Sequence, residues 1–129
     1  MSTAITPIID SFEASFQDKH VIPYDLELVW LKRAVAWFSL ELEPISFDEY
    51  EEEIDCDLRD YQIETLAAAM KVFYQQREVS RVNKRVAINT KDVSMTGAST
   101  AMSAAKNELE NDLNILAHMY WAQKPSAYL

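Results

Sequence analysis

The chain has 129 residues, a net charge of −9, one glycine, four prolines and one cysteine. That length fits one domain, and the acidic balance argues against a free-standing nucleic-acid binder, because phosphate contacts need a positive field. One cysteine excludes an internal disulfide and a Cys-rich zinc site, and one glycine excludes collagen, glycine-loop nucleotide motifs and turn-dense β-sandwiches.

In chain order, the first expected element is a helix over residues 7–16. Ile5, Ile8 or Ile9, Phe12 and Phe16 fall at helical spacing, and Pro7 suits a first turn. Lys19-His20-Val21-Ile22-Pro23 breaks it. The second is the clearest helix, with Asp25 as its expected cap and Pro44 as its stop. Leu28, Leu31, Val35, Phe38 and Leu42 line one stripe, and Trp30, Ala34 and Trp37 form a second apolar flank. So wide an apolar face predicts a central helix. Phe47, Tyr50 and Ile54 then recur at three and four, which predicts a short amphipathic helix over 46–54, or equally a loosely held loop.

A long helix is expected over 58–86. Its first half is core-like, with Ile63, Leu66, Met70 and Phe73 on one side and Ala67, Ala68 and Ala69 as strong formers. Beyond Tyr74 the apolar face narrows to Val79, Val82 and Val86 while basic residues multiply, so this half is expected to project. Residues 87–99 hold the only glycine and a β-branched alternation, which predicts a loop, an extended arm or a hairpin near 88–99. A last helix follows over 100–122, carried by Leu109, Leu113, Leu116 and Tyr120, and residues 123–129 read as a flexible tail. The expected fold class is therefore all-α: a single helical domain over 1–129, a bundle of about four helices with one long projecting helix.

The charge is unevenly placed. Residues 41–60 hold ten acids and one base, so they carry the whole net charge. Residues 71–91 run the other way, with six bases against Glu78. Arg77, Arg81, Lys84 and Arg85 share one helical side, and Lys91 follows. This basic stripe suits a partner surface as well as it suits a solvated helix face, and it lacks the interleaved aromatics of a single-strand nucleic-acid platform. Glu51, Glu52 and Asp55 are the opposing acidic candidates.

Catalytic chemistry finds little support. His20 and His118 lie far apart with no serine or cysteine motif beside either, and surface or interface roles suit them better. Asp55-Cys56-Asp57-Leu58-Arg59-Asp60 resembles the start of a calcium loop, but its sixth position is not glycine and its twelfth is Leu66. No catalytic, cofactor-binding or metal residue is assigned. No apolar run approaches the ~20 residues of a membrane helix. The basic start and apolar stretch of a signal peptide are missing, so a reducing cytoplasm is expected and Cys56 reads as a free thiol. Trp30, Trp37, Phe38 and Phe73 read as core. Tyr120 and Trp121, with Tyr128 and Leu129, form apolar anchors suited to docking on a neighbouring subunit.

Three blocks carry a resemblance. They are Met70-Lys71-Val72-Phe73-Tyr74-Gln75-Gln76-Arg77-Glu78-Val79-Ser80-Arg81-Val82-Asn83-Lys84, then Asn89-Thr90-Lys91-Asp92-Val93-Ser94-Met95-Thr96-Gly97, then Ala104-Ala105-Lys106-Asn107-Glu108-Leu109. With the Trp30-Leu31, Trp37 and Leu40-Glu41-Leu42 segment, the chain is similar over roughly residues 26–110 to the small helical head–tail connector, adaptor or head-completion proteins of tailed bacteriophages. The resemblance implies an all-α subunit of a ring, usually twelvefold, that binds the portal on one side and the next neck or tail-completion protein on the other. It implies a lumen through which DNA passes without sequence-specific contact, no cofactor, and a place in the virion neck after assembly in the host cytoplasm. The acidic 41–60 block and the aromatic tail depart from that pattern. A different class of function, a small acidic helical protein that mimics nucleic acid and occupies a basic protein partner, is the alternative.

Overall fold

A computed structural model describes the backbone of residues 2–15, 22–89 and 95–124, and the side chains of these except 82–89 and 95–102. The elements in order are β1 (Thr3–Ala4), α1 (Thr6–Ala14), α2 (Tyr24–Glu41), β2 (Phe47–Asp48), β3 (Glu53–Ile54), α3 (Asp60–Asn89) and α4 (Met95–Gln123). Among the described residues the chain is mostly helical, with four helices, and adds a three-stranded antiparallel sheet in the order β1-β3-β2. The expected helical character holds, and the small sheet is added to it.

Helix α3 is the spine. Helices α1, α2 and α4 all pack on it, α4 along the greatest length. Thr65 meets Gln123 and Lys71 meets Asp112, so α3 and α4 run antiparallel. The core draws on all four helices and β3: Ile8 and Phe12 from α1, Leu31 and Phe38 from α2, Ile54 from β3, Leu66, Met70 and Phe73 from α3, and Leu116 from α4 are all buried. Aromatic edges tie the layers, with Trp30 set between Phe12 (6.1 Å) and Tyr74 (6.2 Å) and Trp37 against Phe73 (4.7 Å). Among the described residues, the buried side chains of α3 are confined to 65–74, and those from Gln75 to Arg81 are half-buried or exposed.

Several expected boundaries move. Helix α2 begins after Pro23, whose carbonyl accepts from the Leu26 and Glu27 amides, and no side chain caps it. Asp25 is thus inside the first turn, where a carboxylate favours the N-terminal dipole, and is not the cap. The helix ends at Glu41, before Pro44 can act, and Ser39 then holds the chain: its hydroxyl donates to the Ile45 carbonyl (3.0 Å) and accepts from the Ile45 amide (3.1 Å).

The expected short helix over 46–54 is a hairpin. Phe47 pairs with Ile54 and Asp48 with Glu53 across a four-residue turn. Two forces favour the turn. A helix would place Asp48, Glu49, Glu51, Glu52 and Glu53 at repulsive three- and four-residue spacings. The Asp48 carboxylate instead accepts from the Tyr50 and Glu51 amides, which closes the turn. Glu52 takes a left-handed backbone (φ 53°), an unfavoured conformation for a residue with a Cβ, and its carbonyl accepts from the Ile5 amide.

The expected extended arm at 88–99 is corrected at both ends. Helix α3 runs on to Asn89, and α4 already begins at Met95 with Gly97 in its first turn. The remaining residues, 90–94, lie outside the described ones. Ala98, Ala101, Ala104 and Ala105 are strong helix formers, and they outweigh the β-branched alternation that suggested a strand.

Thr3 couples the N-terminal strand to the start of α3. Its hydroxyl donates to the Cys56 carbonyl (2.7 Å) and accepts from the Leu58 amide (2.9 Å). Thr3→Val keeps the shape and removes both bonds. It is expected to lower unfolding free energy by about 1–3 kcal/mol in urea titration, and a neutral result would show that the strand contributes nothing here.

Candidate interaction surface

Local bonding explains how the acidic face is presented. Asp55 accepts from the Ser46 amide (2.9 Å), and the Asp55 amide donates back to the Ser46 carbonyl (3.0 Å), which locks the base of the hairpin. Gln62 accepts from the Arg59 amide (2.8 Å) in a reciprocal cap of α3 and donates to Glu43 (2.9 Å). Lys32 pairs with Glu49 (2.9 Å) at an exposed site. Glu51 and Glu52 are exposed in the turn, and Tyr50 stands between them and Glu49 with 94% of its surface open. The calcium-loop resemblance therefore has another use: Asp55 is a loop fastener. Among the described residues, no three His, Cys, Asp or Glu side chains are placed to share a metal ion. Burial, then Asp55, Glu43 and Asp57, pushes the Cys56 thiol up, so the half-buried sulfur stays protonated at neutral pH.

The basic candidates lie further along α3. Arg81 is exposed and paired with Glu78 (3.3 Å), whereas Arg77 is half-buried and its Nη1 has no hydrogen-bond partner among the described residues. The backbone of Lys84 and Arg85 continues α3, and their side chains, like all of Lys91 and Tyr128, lie outside the described residues.

The aromatic pair splits. Tyr120 is buried at 8% exposure, Trp121 is 74% exposed, and His118 stacks beside Trp121 (6.2 Å). His20 lies outside the described residues. Desolvation, then Glu41, pushes the Tyr120 phenol up to about 12, and its hydroxyl has no hydrogen-bond partner among the described residues. Tyr120 lines a hollow of about 280 Å³ between α2 and α4, with Trp37, Leu40 and Leu116. A second, open hollow of about 650 Å³ lies where the end of α2, the start of α3 and the end of α4 converge, lined by Phe38, Leu42, Tyr61, Met119 and Ala122. Periodicity did not foretell the smaller hollow beside Tyr120. Leu40 falls off the apolar stripe of α2 and is 82% exposed, and an isolated off-stripe leucine was the only available sign.

One polar contact sits inside the α3–α4 seam. Asp112 is buried, lies 3.7 Å from the Lys71 ammonium, and has one carboxylate oxygen without a hydrogen-bond partner among the described residues. Burial raises its pKa, opposed by Lys71 and Gln75. The folded state therefore holds the Asp112 proton to higher pH than the unfolded chain does. Its contribution is fully present below the ordinary carboxylate pKa and is lost as pH rises through the folded value. Asp112→Asn is expected to be more stable than the native chain at pH 7 and to lose that advantage at pH 3, compared by urea titration at both pH values. The reverse order would mean that the Lys71 pair outweighs desolvation.

Among the described residues no helix is long and apolar enough to cross a membrane. No protein-family profile matches the chain, and no curated protein or solved structure is significantly similar to it.

Proposed function

We propose that the chain is a structural virion protein, a subunit of a ring-shaped head–tail connector that docks on the portal of a tailed bacteriophage and lets DNA pass through its lumen. The observation that carries this reading is the separation of opposite charges along one helix. The acidic hairpin lies beside the start of α3. Arg77, Arg81, Lys84 and Arg85 lie about 26–38 Å further along the same helix, at 1.5 Å per residue from Asp60. A subunit with opposite charges at its two ends can meet the next copy head to tail, and such heterologous contacts close into a ring when the rotation permits. Tyr50, an exposed aromatic within a carboxylate rim, supplies the kind of anchor that such contacts use. The α3–α4 pair, projecting past the buried 65–74 region, provides the length for contact with neighbours above and below. The neck position, the twelvefold copy number, the portal and the tail-completion partner come from the resemblance of the three sequence blocks.

The test is the mass, by light scattering, of the chain alone and mixed with purified portal. A ring-sized species that co-elutes with portal is expected. A species that stays small beside portal, and that instead captures a basic DNA-binding protein, would replace this reading with the acidic-mimic alternative.

A further inference from the structure

We propose that Tyr50 of one copy seats in the hollow between α2 and α4 of the next, its hydroxyl accepting from the Tyr120 hydroxyl while Glu51 and Glu52 face Arg33, Arg77 and Arg81. The inference rests on the head-to-tail contact of the connector reading and names what each end brings to it. The hollow holds about 280 Å³ between Trp37, Leu40, Leu113, Leu116 and Tyr120. That is below the roughly 300–1,000 Å³ of sites for drug-sized ligands, and it suits a single side chain. Tyr120 is more than nine-tenths buried there, and its hydroxyl has no hydrogen-bond partner among the described residues. A buried phenol without a partner is costly, and a second hydroxyl, which both donates and accepts, removes the cost. The acid on the wall, Glu41, is already paired with Lys124 (3.0 Å), so it does not stand against an acidic visitor as a bare charge.

Charge complementarity selects the occupant. Trp37 meets Phe73 edge-on, and the exposed Arg33 holds its guanidinium 4.4 Å above that same ring. Arg77 follows Phe73 by one turn of α3 and Arg81 by two, about 6 and 12 Å along the axis. Three arginines thus gather at the Phe73 end of the hollow. The matching shape is an aromatic ring beside carboxylates. Tyr50 has it: its ring is 94% exposed, with exposed Glu51 and Glu52 next in the turn. The Lys32–Glu49 pair and the two Asp48 bonds hold that turn with the ring open to solvent, so the hollow it fills is another copy's. Ring and hollow are different surfaces of the chain, which is what a heterologous contact requires.

The test is sedimentation equilibrium on full-length variants, each spoiled on one surface. Tyr50→Ala removes the ring, and Ala117→Trp fills the hollow from within. Both positions are exposed, so circular dichroism should show native helicity and melting. The native chain is expected to self-associate. Each variant alone should do so at least roughly thirtyfold more weakly, as for an anchor at the centre of an interface, and Tyr120→Phe roughly tenfold more weakly. Mixed, the Tyr50→Ala and Ala117→Trp chains should form a pair of twice the chain mass and nothing larger, since one intact ring and one intact hollow remain to meet. Variants that associate as the native chain does, or a mixture that forms no pair, would overturn the proposal, and a portal-bound ring that survives both substitutions would leave the connector reading standing without this contact. A native chain that stays single, while Ala117→Trp loses portal binding, would give the hollow to the portal and overturn the proposal as well.

Discussion

Phe73→Ala should bring the chain close to unfolding at room temperature. Phe73 is buried, meets Trp37 edge-on at 4.7 Å, and carries the Arg33 guanidinium 4.4 Å above its ring. Truncation removes the transfer free energy of the ring, leaves a cavity, and strands both neighbours. Phe→Ala changes in cores cost about 3–5 kcal/mol, against a total stability of about 5–15 kcal/mol for a domain. The site cannot collapse cheaply. Its neighbours Trp37 and Arg33 belong to α2, which packs on α3, and α1 packs on α3 as well. Thermal unfolding followed by circular dichroism is expected to show a loss of roughly 10 °C or more in Tm. Phe73→Leu, which retains most of the volume but not the aromatic contacts, should recover more than half of that loss. A Phe73→Ala chain that melts near the native temperature would mean that α2 and α3 are not held together at this point.

The same residue shows why much of the fold was legible. Ile63, Leu66, Met70 and Phe73 recur at helical spacing, and three of the four are buried on one face of α3. Leu31, Val35 and Phe38 do the same on α2 with Trp30 and Ala34 beside them; that width predicted a central helix, but the central place belongs to α3, on which α1, α2 and α4 all pack. The hairpin at 47–54 was not legible. Phe47 and Ile54 satisfy a helical and a hairpin pattern alike, and the choice between them rests on tertiary pairing with β1, fifty residues away in sequence, which no local window contains. Residues 88–89 and 95–99 failed for a related reason. A β-branched alternation signals a strand only where a partner strand is available, and the alanines of α4 favoured the helix. Among the interface candidates, spacing placed Arg77 and Arg81 on one side of α3 but did not separate the half-buried Arg77 from the exposed Arg81. The hollow beside Tyr120 lies where α2 and α4 face each other, the larger one where three helix ends meet, and only the arrangement in space creates either.

That half-burial shapes the decisive variant of the connector reading. Changing Arg77, Arg81 and Arg85 to glutamate is expected to abolish ring formation and portal association while the isolated chain keeps its helicity. Fold and assembly respond differently because the charges do different things in each. Within one chain, Arg81 makes a single exposed pair with Glu78, worth about 0.3–0.5 kcal/mol. Between copies, three reversals would turn an attraction to the acidic hairpin into a repulsion, and like charges brought together at an interface cost several kcal/mol. The loss of association should thus be at least roughly a hundredfold. Arg77→Glu carries its own folding risk, since one guanidinium nitrogen is buried. The Arg81→Glu, Arg85→Glu pair is therefore measured alongside it, and circular dichroism separates misfolding from failed assembly. Native association should weaken steadily as salt rises and the Debye length shrinks from about 10 Å at 0.1 M. The rescue is the sharper arm. A chain with Glu51→Lys and Glu52→Lys should fail to assemble alone, yet form mixed species with the reversed-arginine chain, because each then offers the charge the other lacks. Variants that assemble like the native chain at every salt concentration would remove charge pairing as the basis of the ring.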